Sequence, residues 1–561
     1  MRGDMAPEAD WIFTDARIWR GGPEGAAPGD ADSHGVREGA LALREGRVLA
    51  LGAASQVMAH RGPDTAIFSL GGRFVMPGFV DAHVHLLTGG LRLFRVDLRG
   101  ASSRQEFHQR VADRTRITPV GEWILGGDWN QEDWGGAFPD RSWLDRATGE
   151  HPVFLQRMDL HMGLANSVAL ELAGISAETS DPENGRIDRD PETGEPTGIL
   201  RERAMLPIYD AIPDLSDEDC IAAIRTGAIG ALALGITQVH DMGAVQKLSE
   251  SWQSLRVLGT LEAEGRLPLR VNAALPVRHW RRAAELVQAE GYGGGRLRWG
   301  GVKAFVDGSF GSSTAWFDEP YLHEPDSRGG PVCDLKRLEA DLTGALESGL
   351  QPVVHAIGDR ANDWLLELCA TLERRTPGLT ESLRVEHAQH LSEAGLAEFG
   401  RTRRFASVQP LHILDDAPWI EMKIGEDRGR RSYAFGSLAA GGARVALGSD
   451  WPVAPMDPLG AVRTAMTRIL PEGVGAGEGG VWNPGERLDL ATALRAHTWG
   501  GAVAGGWEAE TGSLDPGKFA DFIVLSENPF EVDPEALGRD VQVDMTFVDG
   551  ILAHRRDDSP L

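Results

Sequence analysis

The sequence predicts an α/β protein: a (β/α)8 barrel carrying an inserted subdomain, with a small sheet domain assembled from both ends of the chain. Three observations predict it. Between residues 74 and 507, short apolar strands alternate with helical stretches, the pattern of a parallel α/β fold. The two ends are instead rich in strands and turns. One interval, Leu86 to Gly235, is too long for a single strand-to-strand connection.

At the start, Trp11–Trp19 reads as a strand, and Ala40–Leu51 reads as a hairpin turning at Glu45-Gly46. Residues 21–39, rich in Gly, Pro, Ala and Asp, read as a loop. The far end has the same texture. Gly512–Leu525 is a turn-rich entry into a strand, and Asp544–Ala553 is a hairpin around Asp549-Gly550. Residues 1–73 and 508–561 are therefore expected to form one composite domain.

Eight strands are expected in the middle: Phe74–Val80, Ile236–Val239, Leu269–Ala273, Val302–Val306, Pro352–Val354, Leu383–Val385, Phe405–Val408 and Val445–Leu447. Helices are expected over Asp219–Leu234, Ala283–Glu290, Leu335–Ser348, Asp359–Arg374 and Glu393–Phe399. In such a barrel the chemistry sits on the loops that follow the strands. Two further strands, Trp123–Trp129 and Pro152–Arg157, fall in the long interval and mark an insertion over about residues 95–215. It is expected over the barrel mouth, where long loops carry function.

Composition narrows the function. Apolar content of 42% and charged content of 25% are those of a soluble globular chain. The net charge of −27 argues against nucleic acid and against an anionic membrane as partners, since both require basic patches. The three cysteines, Cys220, Cys333 and Cys369, are far apart and make neither a cysteine zinc site nor a disulfide framework. The first ten residues lack the apolar core of a secretory signal, and no apolar run is long enough to span a bilayer. A cytoplasmic setting is expected.

Potential ligands cluster at strand ends. His83 and His85 lie two residues apart, so in a strand they share a face and can bind one metal ion. His355, His387 and Asp450 each follow an apolar strand. Lys303 lies inside one, where an unpaired ammonium is costly. Either it pairs with a carboxylate such as Asp307, or it is neutral and combines with carbon dioxide to give a carbamate able to bridge two cations. Any one of these residues alone reads as structural; six of them on one rim read as a metal centre. His390 competes with His387, which follows its strand more directly. His240 also ends a strand and reads as structural. His34, His60, His108, His151, His279, His323, His412, His497 and His554 have no strand-end context and read as structural too.

The segment Pro77–His85, Lys303, His355, His387 and Gly448-Ser449-Asp450 together resemble the amidohydrolase superfamily. The motifs Gly235–Asp241, Val302–Gly308 and Gly512–Asp521 resemble the branch, amidohydrolase family 3, that contains N-substituted formamide deformylase. The resemblance covers nearly the whole chain. It implies a distorted barrel, a terminal β-sandwich and a metal-dependent hydrolase. His83, His85, His355, His387 and Asp450 are then ligands of one or two divalent ions, zinc first, and Lys303 is the carboxylated bridge.

The expected reaction is hydrolysis of an amide- or formamide-type C–N bond by a metal-activated water, with Asp450 moving the proton. A mononuclear deaminase uses many of the same ligands, and a non-catalytic binding protein on the same barrel is the rival from another class. Asp159, His161 and Trp129, in the insertion, are the expected substrate contacts, and Trp134, Trp316 and Trp451 add aromatic surface on mouth loops. The expected partner is a small amide-type molecule, and assembly into a homo-oligomer is left open.

Overall fold

The computed structural model describes residues 7–23, 35–158, 162–183, 185–244, 248–471, 480–557 and 559. Eight parallel strands build its central sheet: β1 (Phe79–Val84), β2 (Ile236–Asp241), β3 (Arg270–Pro276), β4 (Leu297–Phe305), β5 (Gln351–Ala356), β6 (Arg384–His387), β7 (Phe405–Val408) and β8 (Arg444–Leu447). Each pairs with the next in chain order. Helices follow most of them, among them Leu248–Ala263, Trp280–Glu290, Leu335–Glu347, Asp359–Arg375, Glu393–Thr402 and Phe435–Gly441. This is the (β/α)8 barrel the alternation predicts.

The barrel closes at its mouth. Among the described residues no regular ladder joins β8 to β1. Instead Asp450 N donates to His83 O at 2.7 Å, and His85 N donates to Trp451 O at 2.8 Å. Asp81 completes the join, its Oδ1 accepting from Ser449 N at 2.9 Å and from His83 N at 3.1 Å.

The expected strand Phe74–Val80 is in fact two. Phe74–Pro77 belongs to the terminal sheet, and β1 begins at Phe79. The break falls at Gly78, where a Cβ would lie 2.3 Å from the Thr237 side chain on β2. A side chain there would force the two sheets apart.

Strands from both ends share that terminal sheet. Its order is Ile551–Arg555, Val543–Val548, Phe522–Leu525, Phe74–Pro77, Trp11–Trp19, Val36–Arg44 and Arg47–Gly52, with Ala66–Ser69 alongside Trp11–Trp19. Its core brings Phe13 from one end against Phe522 and Phe547 from the other, the last two stacked with centroids 4.3 Å apart. Arg270, on β3, ties this sheet to the barrel. Its buried guanidinium grips both oxygens of Asp521 at 2.6 and 3.0 Å and also bonds Asp549. Arg270→Met would strand a buried carboxylate and is expected to destabilise the protein by about 3–5 kcal/mol. A denaturant midpoint equal to wild type would remove Arg270 as the tie.

Residues 90–223 form a second compact unit. Its six-stranded sheet runs Gly185–Arg189, Pro196–Glu202, Met162–Ala165, Val153–Arg157, Ile124–Trp129 and Val96–Asp97. Phe107, Trp129, Trp143 and Leu155 fill its core. Among the described residues no helix is long and apolar enough to cross a membrane.

Candidate metal centre

The C-terminal ends of β1, β4, β5, β6 and β8 bring His83, His85, Lys303, His355, His387 and Asp450 together. His83, His387 and Asp450 each offer a ligand atom within 4.8 Å of the other two, a grouping able to hold a metal ion. Nε2 of His83 and Nε2 of His85 each lie 3.4 Å from Asp450 Oδ1. The His355 and His387 rings are 4.5 Å apart, and Lys303 Nζ lies 3.5 Å from His83 Nε2.

Four hydrogen bonds set the tautomers. His83 Nδ1 donates to Glu386 Oε2 at 2.6 Å, His85 Nδ1 to Gly243 O at 2.7 Å, and His387 Nδ1 to Gln409 Oε1 at 2.8 Å. His355 Nε2 donates to Gly308 O at 3.1 Å. Each acceptor is an oxygen, so each ring spends its N–H there and keeps a lone pair on its other nitrogen. Imidazoles that ligate metals are held in this way. The donor set therefore fits a divalent ion.

Electrostatics agree with neutral imidazoles. Burial, then the charge of Lys303, lowers His83 to about 4 and His355 to about 3. Burial and the neighbouring His355 push His387 well below its usual value. For Asp450 burial opposes the charge, but attraction to the surrounding rings in their protonated forms, His83 first, outweighs it, so the carboxyl lies well below the usual range and is ionised before those rings take up a proton. Burial lowers Lys303 to about 8, against the pull of Glu386 and Asp450. Those two carboxylates face the ammonium. Asp307 does not: it accepts from the backbone N–H groups of Trp316, Ile357 and Gly358.

Backbone conformation decides which side chains reach the site. Glu386 and His387 are consecutive, and regular strand alternation would send them to opposite faces. His387 has φ +72° and Ala388 φ +43°, which break the strand, and both side chains reach His83. Asp450 is likewise left-handed, at φ +58°. Non-glycine residues hold this region only where the surroundings over-determine them.

Sequence reasoning missed three participants. Glu386, fully buried, holds His83 and pairs through Oε1 with Arg384 at 3.0 Å. Burial opposes its charge, but Arg384 first and His83 second hold its carboxyl at about 2. Gln409 orients His387. His412, read from sequence as structural, places Nε2 3.8 Å from Asp450 Oδ2, and that nitrogen is buried with no hydrogen-bond partner among the described residues. A signal was available for Glu386, since Arg384 and Glu386 alternate on one face of an apolar strand. None was available for His412, which opens the helix His412–Ile424, four residues past the end of β7.

Other expected residues fall elsewhere. Trp129 is a correction: it is fully buried in the core of the 90–223 unit, its indole N–H donating to Leu155 O at 2.8 Å. Packing explains it. Trp134 packs against the same core. Asp159 and His161 lie outside the described residues. Trp451 packs on the helix that follows β1, where a Cβ at Gly89 would meet its ring at 2.2 Å. His390 bonds Ser432 Oγ at 2.6 Å and packs among Phe310 and Phe317, away from the cluster. His240 accepts from Arg384 at 2.7 Å and is structural.

Glu386→Gln keeps the shape but removes the charge behind His83. Losses of such partners weaken metal binding about 10–100-fold, and a competition titration against a chelator is expected to read that loss. Unchanged affinity would reduce Glu386 to a packing residue.

The amidohydrolase family pattern matches residues 66–554. The chain belongs to the amidohydrolase family. Among relatives of this amidohydrolase, "Protein LONG AFTER FAR-RED 3" of Arabidopsis thaliana is 40% identical over 499 residues, covering 88% of this chain and 84% of that protein. N-substituted formamide deformylase of Arthrobacter pascens is 27% identical over 543 residues, covering 93% and 95%. The crystal structure of an uncharacterized metal-dependent hydrolase from Pyrococcus horikoshii ot3 is 29% identical, with a TM-score of 0.75 over 94% of this chain and 99% of that one.

Proposed function

We propose that this amidohydrolase hydrolyses an amide- or formamide-type C–N bond in a small molecule. The observation that carries the reading is the set of four imidazoles, each with one N–H committed to an oxygen, gathered with Lys303 and Asp450 at one barrel mouth. Similarity to N-substituted formamide deformylase supports the bond type.

His83, His85, His355, His387 and Asp450 would hold one or two divalent ions, zinc being suited to this nitrogen and oxygen donor set. Bound there, such ions lower the pKa of a water and polarise the scissile carbonyl. The chain's residues do the rest. Asp450 stays ionised and takes the proton of the attacking water, then returns it to the leaving nitrogen. His412 Nε2, beside Asp450 Oδ2 and without a hydrogen-bond partner among the described residues, is left to hydrogen-bond the substrate. Lys303, neutral, adds carbon dioxide through its nitrogen and loses one proton. The resulting carbamate carries negative charge between the ligands, where an ammonium would repel a cation.

The test is a panel of N-formyl and N-acyl amines and aminated heterocycles, run with metal analysis. Release of formate or another acid together with the free amine supports the reading. Release of ammonia from a ring alone would move the protein to the deaminases. Metal-loaded protein with no turnover on any member would favour a binding role.

A further inference from the structure

The barrel mouth opens into a cavity of about 610 Å³, a size typical of sites for small organic ligands. Lys303 and Phe305, at the end of β4, line it, so it reaches the metal centre through Lys303. Its body is apolar, lined by Met242, Pro276, Val277, Val332 and Leu338. Besides Lys303, four charged side chains line it, Arg278, Asp334, Arg337 and Asp341.

Three of the four are committed. Asp334 caps the helix Leu335–Glu347, its Oδ1 accepting from Lys336 N at 2.9 Å and Arg337 N at 3.1 Å. Asp341 accepts from Trp280 Nε1 at 3.1 Å and pairs with Arg337 at 3.8 Å. Arg278 has no hydrogen bond or ion pair among the described residues. Its place is set by the fold. Pro276 is in register with Lys303 across β3 and β4, and Arg278 follows two residues later in the short turn Val277–His279. The cavity is thus lined by one metal-centre residue, Lys303, by apolar side chains, and by the uncommitted, solvent-exposed guanidinium of Arg278, which lies past the end of β3.

The geometry points to a substrate class: an acylated amine with an apolar, aryl- or alkyl-sized body and a carboxylate at its far end, held by Arg278. This rests on the hydrolytic reading for the acyl group alone; the carboxylate end follows from the cavity. A guanidinium binds a carboxylate through two parallel N–H bonds, which fixes orientation as well as charge. The substrate's C–N bond would then be presented to Asp450 by a contact made outside the metal centre.

Binding separates this from turnover. The probes are 3-phenylpropanoate and the neutral 3-phenylpropan-1-ol, neither of which has a bond to hydrolyse, titrated into the metal-loaded protein. Cys333 lines the same cavity and is partly exposed, whereas Cys220 and Cys369 are buried, so protection of Cys333 from iodoacetamide reports occupancy. The carboxylate is expected to bind about tenfold tighter than the alcohol, the worth of one charge-assisted contact, and to protect Cys333. Arg278→Ala should abolish the preference, and Arg278→Lys should keep part of it. Equal affinities, no binding by either probe, or no protection of Cys333 would overturn the inference. A preference that survives in Arg278→Ala would also overturn it, by placing the carboxylate on the metal centre. If the preference holds but no amide is turned over, the hydrolytic reading fails and the carboxylate site stands.

Discussion

Asp450→Asn is expected to cut turnover by about 10²–10⁴-fold at matched metal content, the usual worth of general acid–base catalysis. The substitution keeps the volume and one oxygen ligand. It removes the oxygen that can accept a proton. Asp450 is suited to that task because its carboxyl is held well below the usual range despite its burial. Its position is fixed by β8 on one side and by the bond from Asp450 N to His83 O on the other. Substrate affinity should change little, since the proton moves only on the way to the transition state. Were Asp450 a ligand alone, the loss would lie in occupancy, and excess metal would restore the rate. Near wild-type turnover at equal metal content would require another base, with His412 the first described residue to examine.

Lys303→Ala is expected to lose both metal and activity, with partial recovery of both on adding formate or acetate. The side chain is buried and faces Glu386 and Asp450 across the ligand cluster. Truncation opens a space that a small carboxylate can fill. The pH dependence has a definite sign. Burial lowers the ammonium to about 8, and only the neutral amine can add carbon dioxide. At a fixed concentration of dissolved carbon dioxide, metal loading should therefore quicken as pH rises from about 7 to 9, following the neutral fraction. Full activity in Lys303→Ala, or loading that is indifferent to bicarbonate, would end the bridging role.

The sequence showed most clearly those features that depend on period and burial. His83 and His85 declared themselves because a strand has a period of two. Lys303 did so because a charge stood inside an apolar run. The expected strand at Phe74 failed at Gly78, since a strand that leaves one sheet and enters another is as apolar as a single long one. Trp129 was misplaced for a related reason. An aromatic residue after an apolar strand looks the same whether the insertion packs it inward or presents it to a ligand. Glu386 was hidden by its neighbour. Read as a strand, Arg384-Val385-Glu386-His387 allows only one of the last two residues to face the barrel interior, and only the left-handed backbone at His387 brings both to one centre. His412 was beyond reach, because a helix start carries no strand-end signal.

The way the barrel closes has a consequence for the whole molecule. Among the described residues β1 and β8 meet through main-chain bonds made at His83, His85, Asp450 and Trp451 and through the Asp81 carboxylate on Ser449 N, and three of the four main-chain partners belong to the ligand cluster. A cation held there would act as a clasp on the weakest joint of the staves. Because it binds the closed form alone, its concentration would set how often that joint opens, by mass action. Chelation should then speed deuterium exchange at the amides of His85 and Asp450 first, leaving β4 and β5, laddered on both sides, protected. Loss of the ion would be felt as a barrel ajar along one line before any loss of fold.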